Sequence, residues 1–284
     1  MTKSDRGAVV VTGASTGIGA ACAQYLSEQG FRVFAGVRKQ ADAEAILGRK
    51  NPQLQPLILD VTQSDKISDA VQTLQASLGG SGLSGLVNNA GISYDQPLEC
   101  VPIASVRHQM EVNVIGTLAV TQAFLPMVRQ ARGRIVTIGS LSGRLANPIS
   151  GPYCMSKFAI EAFADCLRRE LEPWGIHVSL IEPGAIKTAI WEKNDAYDWR
   201  ADASPEHLSL YGAMYGKFRK SIVKSTKNAI SCDKVSEAIL HALTAPTPRT
   251  RYLVGPDARM LARLAHILPD RMLDSILKKS MESA

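Results

Sequence analysis

The chain has 284 residues, 45% of them hydrophobic and 20% charged, with a formal net charge of +6. That length allows one large α/β domain or two small ones, with enough apolar surface for a substantial core. Lys and Arg are scattered instead of gathered into a basic tract, so the charge gives no reason to expect a nucleic-acid partner. Cys22, Cys100, Cys154, Cys166 and Cys232 are odd in number and form no C-x-x-C pair. They exclude a disulfide framework and point to free thiols in a reducing compartment. No apolar run is expected to span a membrane, the start "MTKSDRG" is too polar for a signal peptide, and cytoplasm is the expected compartment.

Short apolar runs alternate with helix-period stretches along most of the chain. Strands are predicted at 8–13, 32–37, 54–60, 83–89, 134–140, 177–183 and 251–255. They are rich in Val, Ile and Leu without clean alternation, as suits strands buried on both faces of a parallel sheet. Helices are predicted at 17–29 and 64–78, closed by Gly30 and Gly79, then at 102–131, 153–172 and 233–244. Pro102 and Pro152 sit where a first-turn proline is tolerated. Such repetition predicts a single doubly wound, Rossmann-type α/β domain over 1–256, with about seven parallel strands. Residues 185–231 show no strand period and many aromatics, and residues 257–284 read as a C-terminal helical extension interrupted at Pro269.

Directly after the first strand comes "TGASTGIGAACAQYL". Gly13, Gly17 and Gly19 there would let the backbone turn, approach a pyrophosphate and pack a helix on the sheet. Ser15, Thr16 and Ile18 complete that turn, and the helix N-terminus offers unpaired N–H groups to phosphate. The second strand ends in "AGVRKQ", with Arg38 and Lys39 in the region where an acid would bond the ribose of NAD. A guanidinium can instead fork onto a 2′-phosphate, so NADP(H) is expected over NAD(H), with Arg38 the main contact and Lys39 a helper. Asp60, with Val61 after it, either accepts from the adenine amino group or caps the next helix.

These motifs, with "NNAG" (88–91), "NVIG" (113–116), Ser140, "YCMSK" (153–157) and "PGAIKT" (183–188), occur in the order seen in short-chain dehydrogenases/reductases. The chain resembles that family over roughly residues 7 to 255. The resemblance implies an oxidoreductase that interconverts a ketone or aldehyde and an alcohol. It makes Tyr153 the general acid/base, and Lys157 the residue that lowers the tyrosine pKa and binds the nicotinamide ribose. Residues i and i+4 share a helix face, so an ammonium one turn away favours the phenolate over a phenol whose free pKa is about 10. Ser140 would hold the substrate oxygen, and Asn113 would steady a water linking Lys157 to solvent; as a polar residue within a helix it could instead simply bend that helix. Asn89, Ala90 and Gly91 would lie against the adenosine, and Pro183, Gly184, Ile186 and Thr188 would grip the carboxamide and pyrophosphate. The five histidines lack ligand spacing, so no metal is expected.

Residues 153–188 look like the branch containing retinol and hydroxysteroid dehydrogenases, which implies a bulky apolar substrate. Trp191, Tyr197, Trp199, Tyr211, Met214, Tyr215 and Phe218 are either a lid over that substrate or a satellite hydrophobic cluster. The tail's apolar stripe is expected to pack on its own domain or another subunit, and the resemblance implies a homodimer or homotetramer. Two other functions stay open: a 3-oxoacyl thioester reductase, against which the long tail counts, and a dinucleotide-sensing regulator without chemistry.

Overall fold

The computed structural model describes residues 6–188, 198–227 and 229–282. Seven strands, β1 (Ala8–Val11), β2 (Arg32–Val37), β3 (Leu54–Ile58), β4 (Gly85–Asn88), β5 (Arg134–Ile138), β6 (His177–Pro183) and β7 (Arg251–Val254), form one sheet. Their order is β3-β2-β1-β4-β5-β6-β7, and every pairing is parallel. The four residues of β1 show why the strands lack alternation. Val9 and Val11 enter the apolar layer on one face, and Ala8 and Val10 the layer on the other. Both faces are covered, so polarity has no side on which to appear.

On one face lie α1 (Gly17–Glu28), α2 (Gln40–Leu47) and a later helix, α8 (Cys232–Thr244). On the other lie α3 (Ser64–Leu78), α5 (Gly116–Gln130) and α6 (Gly151–Leu171), with α4 (Ile103–Met110) leading into α5. α3 ends where Gly79 turns left-handed at φ +55°, its N–H returning to Gln75 O. Leu26, Leu74, Leu86, Phe124 and Ile135 are fully buried between these layers. Each contributes about 1.5–3 kcal/mol of apolar burial.

Three expectations need correction. The helix predicted over 102–131 is divided by a π turn at Glu111–Ile115, which carries Asn113. The combined run Ile103–Gln130 is also long and apolar enough to cross a membrane by composition, contrary to the sequence reading. Its apolar side is spent on the core, where Val120, Phe124 and Val128 are fully buried. Finally, the segment read as irregular contains a 23-residue helix, α7 (Pro205–Lys227). Its Tyr211, Tyr215, Phe218 and Ile222 recur at helical spacing, a period hidden by polar residues on the other side. α2 was not foreseen, being short and only weakly periodic. After β7 come α9 (Pro256–Ile267) and α10 (Asp270–Glu282), separated by Pro269 as the sequence indicated.

Candidate active site

β1 is flanked by β2 on one side and β4 on the other, so the winding direction reverses there. The crevice at the carboxyl ends of β1 and β4 is where such sheets bind ligands. The turn after β1 is built to be approached. Gly13 and Gly17 are left-handed, at φ +63° and +60°, and a Cβ on Gly13 would meet Ala90 Cα at 2.8 Å. A Cβ on Gly19 would fall 2.4 Å from Gly13 O and from Asn89 Nδ2. Thr16 precedes α1 without a side-chain cap, and no acid occupies its first turn. Those N–H groups and the dipole end are therefore available to an anion. Ser15 and Thr16 are exposed, whereas Ile18 packs toward the core beside buried Gly19.

Asn89 does not turn its amide outward. Nδ2 donates to Thr12 O at 2.9 Å and Gly13 O at 3.1 Å. Thr12 Oγ1 in return accepts from Asn89 N and Ala90 N. The "NNAG" segment thus braces the glycine turn, leaving Ala90 and exposed Gly91 as the surface it presents. Arg38 and Lys39 are exposed just beyond β2. Asp60 Oδ1 accepts from Thr62 N at 3.0 Å and Thr62 Oγ1 at 2.7 Å, a local turn leading into α3. Val61 is buried, with both its side chain and its carbonyl packed against Gly116.

Across the crevice, β6 ends at Pro183. Ala185 N donates to Asp257 Oδ2 at 2.7 Å, and a bridge from Ile186 to Ile230 fixes the following residues. Gly184 is needed because any Cβ would fall 2.2 Å from that aspartate. Ile186 is buried with the core, and Thr188 lies opposite Gly17.

Ser140, Tyr153 and Lys157 come together at the ends of β5 and α6. Ser140 caps the turn Leu141–Gly143, accepting from Ser142 N at 3.0 Å, and its hydroxyl favours the Tyr153 phenolate. Lys157 Nζ stands 5.5 Å from the Tyr153 ring centroid and donates to Ile138 O at 2.8 Å. Asn113 is committed: Oδ1 accepts from Ile92 N, and Nδ2 donates to Ile92 O and to Ser156 Oγ at 3.0 Å. Its own carbonyl accepts from Thr117 Oγ1 at 2.9 Å. It ties the loop after β4 to the helix turn carrying Lys157.

The electrostatics differ from the resemblance's implication. Burial pushes the Tyr153 hydroxyl up to about 12, with the neighbouring Ser140 hydroxyl pulling the other way. Burial also lowers Lys157 to about 8, opposed by the Glu161 charge. Desolvation is the largest effect on both groups, and the Asp95 and Cys154 charges push the phenol further up.

The short chain dehydrogenase family model matches residues 7–198. The chain is 36% identical over 278 residues to an NADPH-dependent 3-dehydrocapnine reductase of Ornithobacterium rhinotracheale, covering 96% of each. It is 38% identical over 280 residues to retinol dehydrogenase 16 of Mus musculus, covering 95% of this chain and 87% of the relative. Among solved structures, a short chain dehydrogenase from Burkholderia cenocepacia in complex with NADP superposes at TM-score 0.73 and 27% identity, covering 98% and 99% of the two chains. The chain belongs to the short-chain dehydrogenase family. It is an oxidoreductase.

Trp199, Tyr215 and Phe218 are buried with Ile149 in a small cluster of their own, which favours the satellite reading for these three. Tyr211 is partly buried, Met214 is exposed, and Trp191 and Tyr197 lie outside the described residues. Sequence reasoning missed Thr12, Gln109, Ser156 and Asp257. Only Asp257 had a readable signal, as an acid in a helix first turn right after Gly-Pro. Asp95 was also missed: it accepts from Ser150 Oγ at 2.8 Å just ahead of Tyr153, and burial raises its carboxyl.

Proposed function

We propose that this dehydrogenase is an NADP(H)-dependent enzyme interconverting a ketone or aldehyde and an alcohol on a bulky apolar substrate, with Tyr153 as general acid/base. The observation that carries the reading is the convergence of Ser140, Tyr153 and Lys157, the phenol influenced by the Ser140 hydroxyl and its ring 5.5 Å from the Lys157 ammonium. The glycine cradle and the uncapped start of α1 fit a dinucleotide, and exposed Arg38 fits its 2′-phosphate. The NADPH-dependent relative and the NADP-bound structure support the same choice.

When bound, the cofactor supplies or accepts the hydride at the carbonyl carbon. Ser140 holds the substrate oxygen beside the phenol. At neutral pH a phenol near 12 is fully protonated, so Tyr153 is ready to give its proton to the oxygen as the carbonyl is reduced. For alcohol oxidation it has to be pulled down, and added positive charge in the closed site acts in that direction. Lys157 holds the nicotinamide ribose and lends its charge to the phenol. Near the site, Leu98 is 63% exposed over Gly151, an apolar surface beside the reacting end.

The test is reduction of a panel of hydrophobic ketones and of an acetoacetyl thioester, each with NADPH and NADH. Hydrophobic ketones with NADPH are the expected substrates, and Tyr153→Phe should lose about 10²–10⁴-fold in turnover while still binding NADPH. Undiminished turnover in that variant, or preference for the thioester, would overturn the reading.

A further inference from the structure

Glu182 is fully buried inside β6, one position before Pro183. Arg144, just past the Leu141–Gly143 turn, forks onto it: Nε to Oε1, and Nη2 to Oε2 at 3.3 Å. Glu161, one turn beyond Lys157 on α6, brings a second carboxyl to the same place. Its Oε2 accepts from Arg251 Nε at 3.1 Å, and Arg251 also reaches Asp165 at 3.0 Å. Its Oε1 is buried with no N–H donor in reach among the described residues, and faces Glu182. Two acids meeting at close quarters share one proton. Both Glu182 oxygens lie on the Arg144 guanidinium, whereas Glu161 Oε1 has no such donor, so the proton sits on Glu161 and is donated across the pair. Burial and the Glu182 charge push Glu161 up to about 7, against the pull of Arg251.

This pair touches the Ser140–Lys157 cluster twice. A Cβ on Gly143 would lie 2.9 Å from Lys157 O and 3.2 Å from Glu161 Oε1, so the turn after Ser140 rests on α6 between lysine and acid. Glu161 also acts on Lys157 through its charge, favouring the ammonium. The charged groups facing the pair are Lys157 and Asp165 from α6, Arg144 from the turn and Arg251 from β7. From α9, which packs on the turn, Asp257 and Arg259 are turned instead to Ala185 N and Leu253 O.

We propose that Glu161 is a positioning residue for Lys157: paired with Glu182 between Arg144 and Arg251, it fixes the Ser140–Arg144 turn on α6 and gains or loses the proton that sets the charge beside the lysine. The proposal rests on Lys157 holding the nicotinamide ribose. As pH rises through neutrality Glu161 ionises, and the new negative charge extends the range over which Lys157 stays an ammonium.

Glu161→Gln puts an amide where the protonated acid sits: its oxygen accepts from Arg251 and its NH₂ donates to Glu182. The variant therefore keeps the low-pH arrangement at every pH. NADPH affinity measured by fluorescence from pH 5.5 to 9.5 should show a basic limb that Lys157→Met removes. In Glu161→Gln that limb should fall by roughly 0.5–1 pH unit, with the gap from wild type growing as pH rises, and Glu161→Asp should recover part of it. A carboxylic-acid C=O infrared band titrating near neutrality should be present in wild type and absent in Glu161→Gln. A limb lost in Lys157→Met but unmoved in Glu161→Gln overturns this proposal alone. A limb that survives Lys157→Met overturns the reading of Lys157 and the coupling with it. Should Glu161→Gln not fold, the infrared band of the wild-type protein decides, and its absence overturns the shared proton.

Discussion

Gly19→Ala tests whether the turn after β1 is a cradle held at close quarters or merely a flexible loop. The added Cβ would lie 2.4 Å from Gly13 O and 2.4 Å from Asn89 Nδ2, roughly 1 Å short of van der Waals contact on both. Neither neighbour can retreat cheaply: Gly13 O is backbone, and Asn89 Nδ2 is held by Thr12 O at 2.9 Å and Gly13 O at 3.1 Å. The helix start must move or those bonds must break. Overpacking and one lost hydrogen bond together cost about 2–4 kcal/mol. For a chain of 284 residues that is a fall in Tm of roughly 3–7 °C. Moving the α1 N–H groups by such a distance should also weaken NADPH by at least about tenfold. Gly48→Ala is the matched control, since Gly48 closes α2 at φ −59° with no neighbour nearer than 3.4 Å. It should leave binding unchanged and raise stability by about 0.4–1 kcal/mol. Thermal unfolding and NADPH titration of both variants decide it. If Gly19→Ala matched Gly48→Ala in both, the close-approach argument would be wrong.

Two further perturbations separate binding from stability. Arg38→Ala should weaken NADPH by roughly 10–100-fold, the worth of a charge-assisted contact, and leave NADH nearly untouched; equal losses would refute the phosphate assignment. Lys157→Met should abolish turnover yet stabilise the ligand-free protein at neutral pH. The folded pKa of about 8 lies below lysine's ordinary 10.5, so the cost of burying the ammonium is fully present below about 8 and disappears as pH rises through 10.5. The shift corresponds to about 3 kcal/mol, and losing the bond to Ile138 O returns about 1. A Tm gain at pH 7 that persisted undiminished above pH 10 would contradict the burial argument.

Strand positions were legible because burial on both faces of the sheet leaves a continuous apolar run. The predicted 32–37 and 177–183 coincide with β2 and β6. Ser140, Tyr153 and Lys157 were singled out by the motif order of the resemblance, and the fold brings them to one place at the ends of β5 and α6. α7 was not, because its apolar stripe covers only a small outlying cluster and much of the helix faces solvent. The electrostatic direction at Tyr153 was not legible either: spacing reveals a neighbouring charge but not how much water remains, and here the missing water dominates.

Several residues around the crevice, some foreseen and some not, share one physical task. The crevice is lined by loops at strand ends, and loop backbone has N–H and C=O groups without ladder partners. Thr12, Asn89, Asn113, Gln109 and Asp257 spend their side chains on those groups. Conserving loop shape this way frees a second set from structural duty. Among the described residues Arg38 makes no hydrogen bond or ion pair, and the first turn of α1 has no side-chain cap. Asparagine sits in the first set although its motif position suggested the second. Its amide offers a donor and an acceptor at once, which is what a pair of orphaned backbone groups requires. A ligand-binding residue needs the opposite property, a polar atom still unspent after folding.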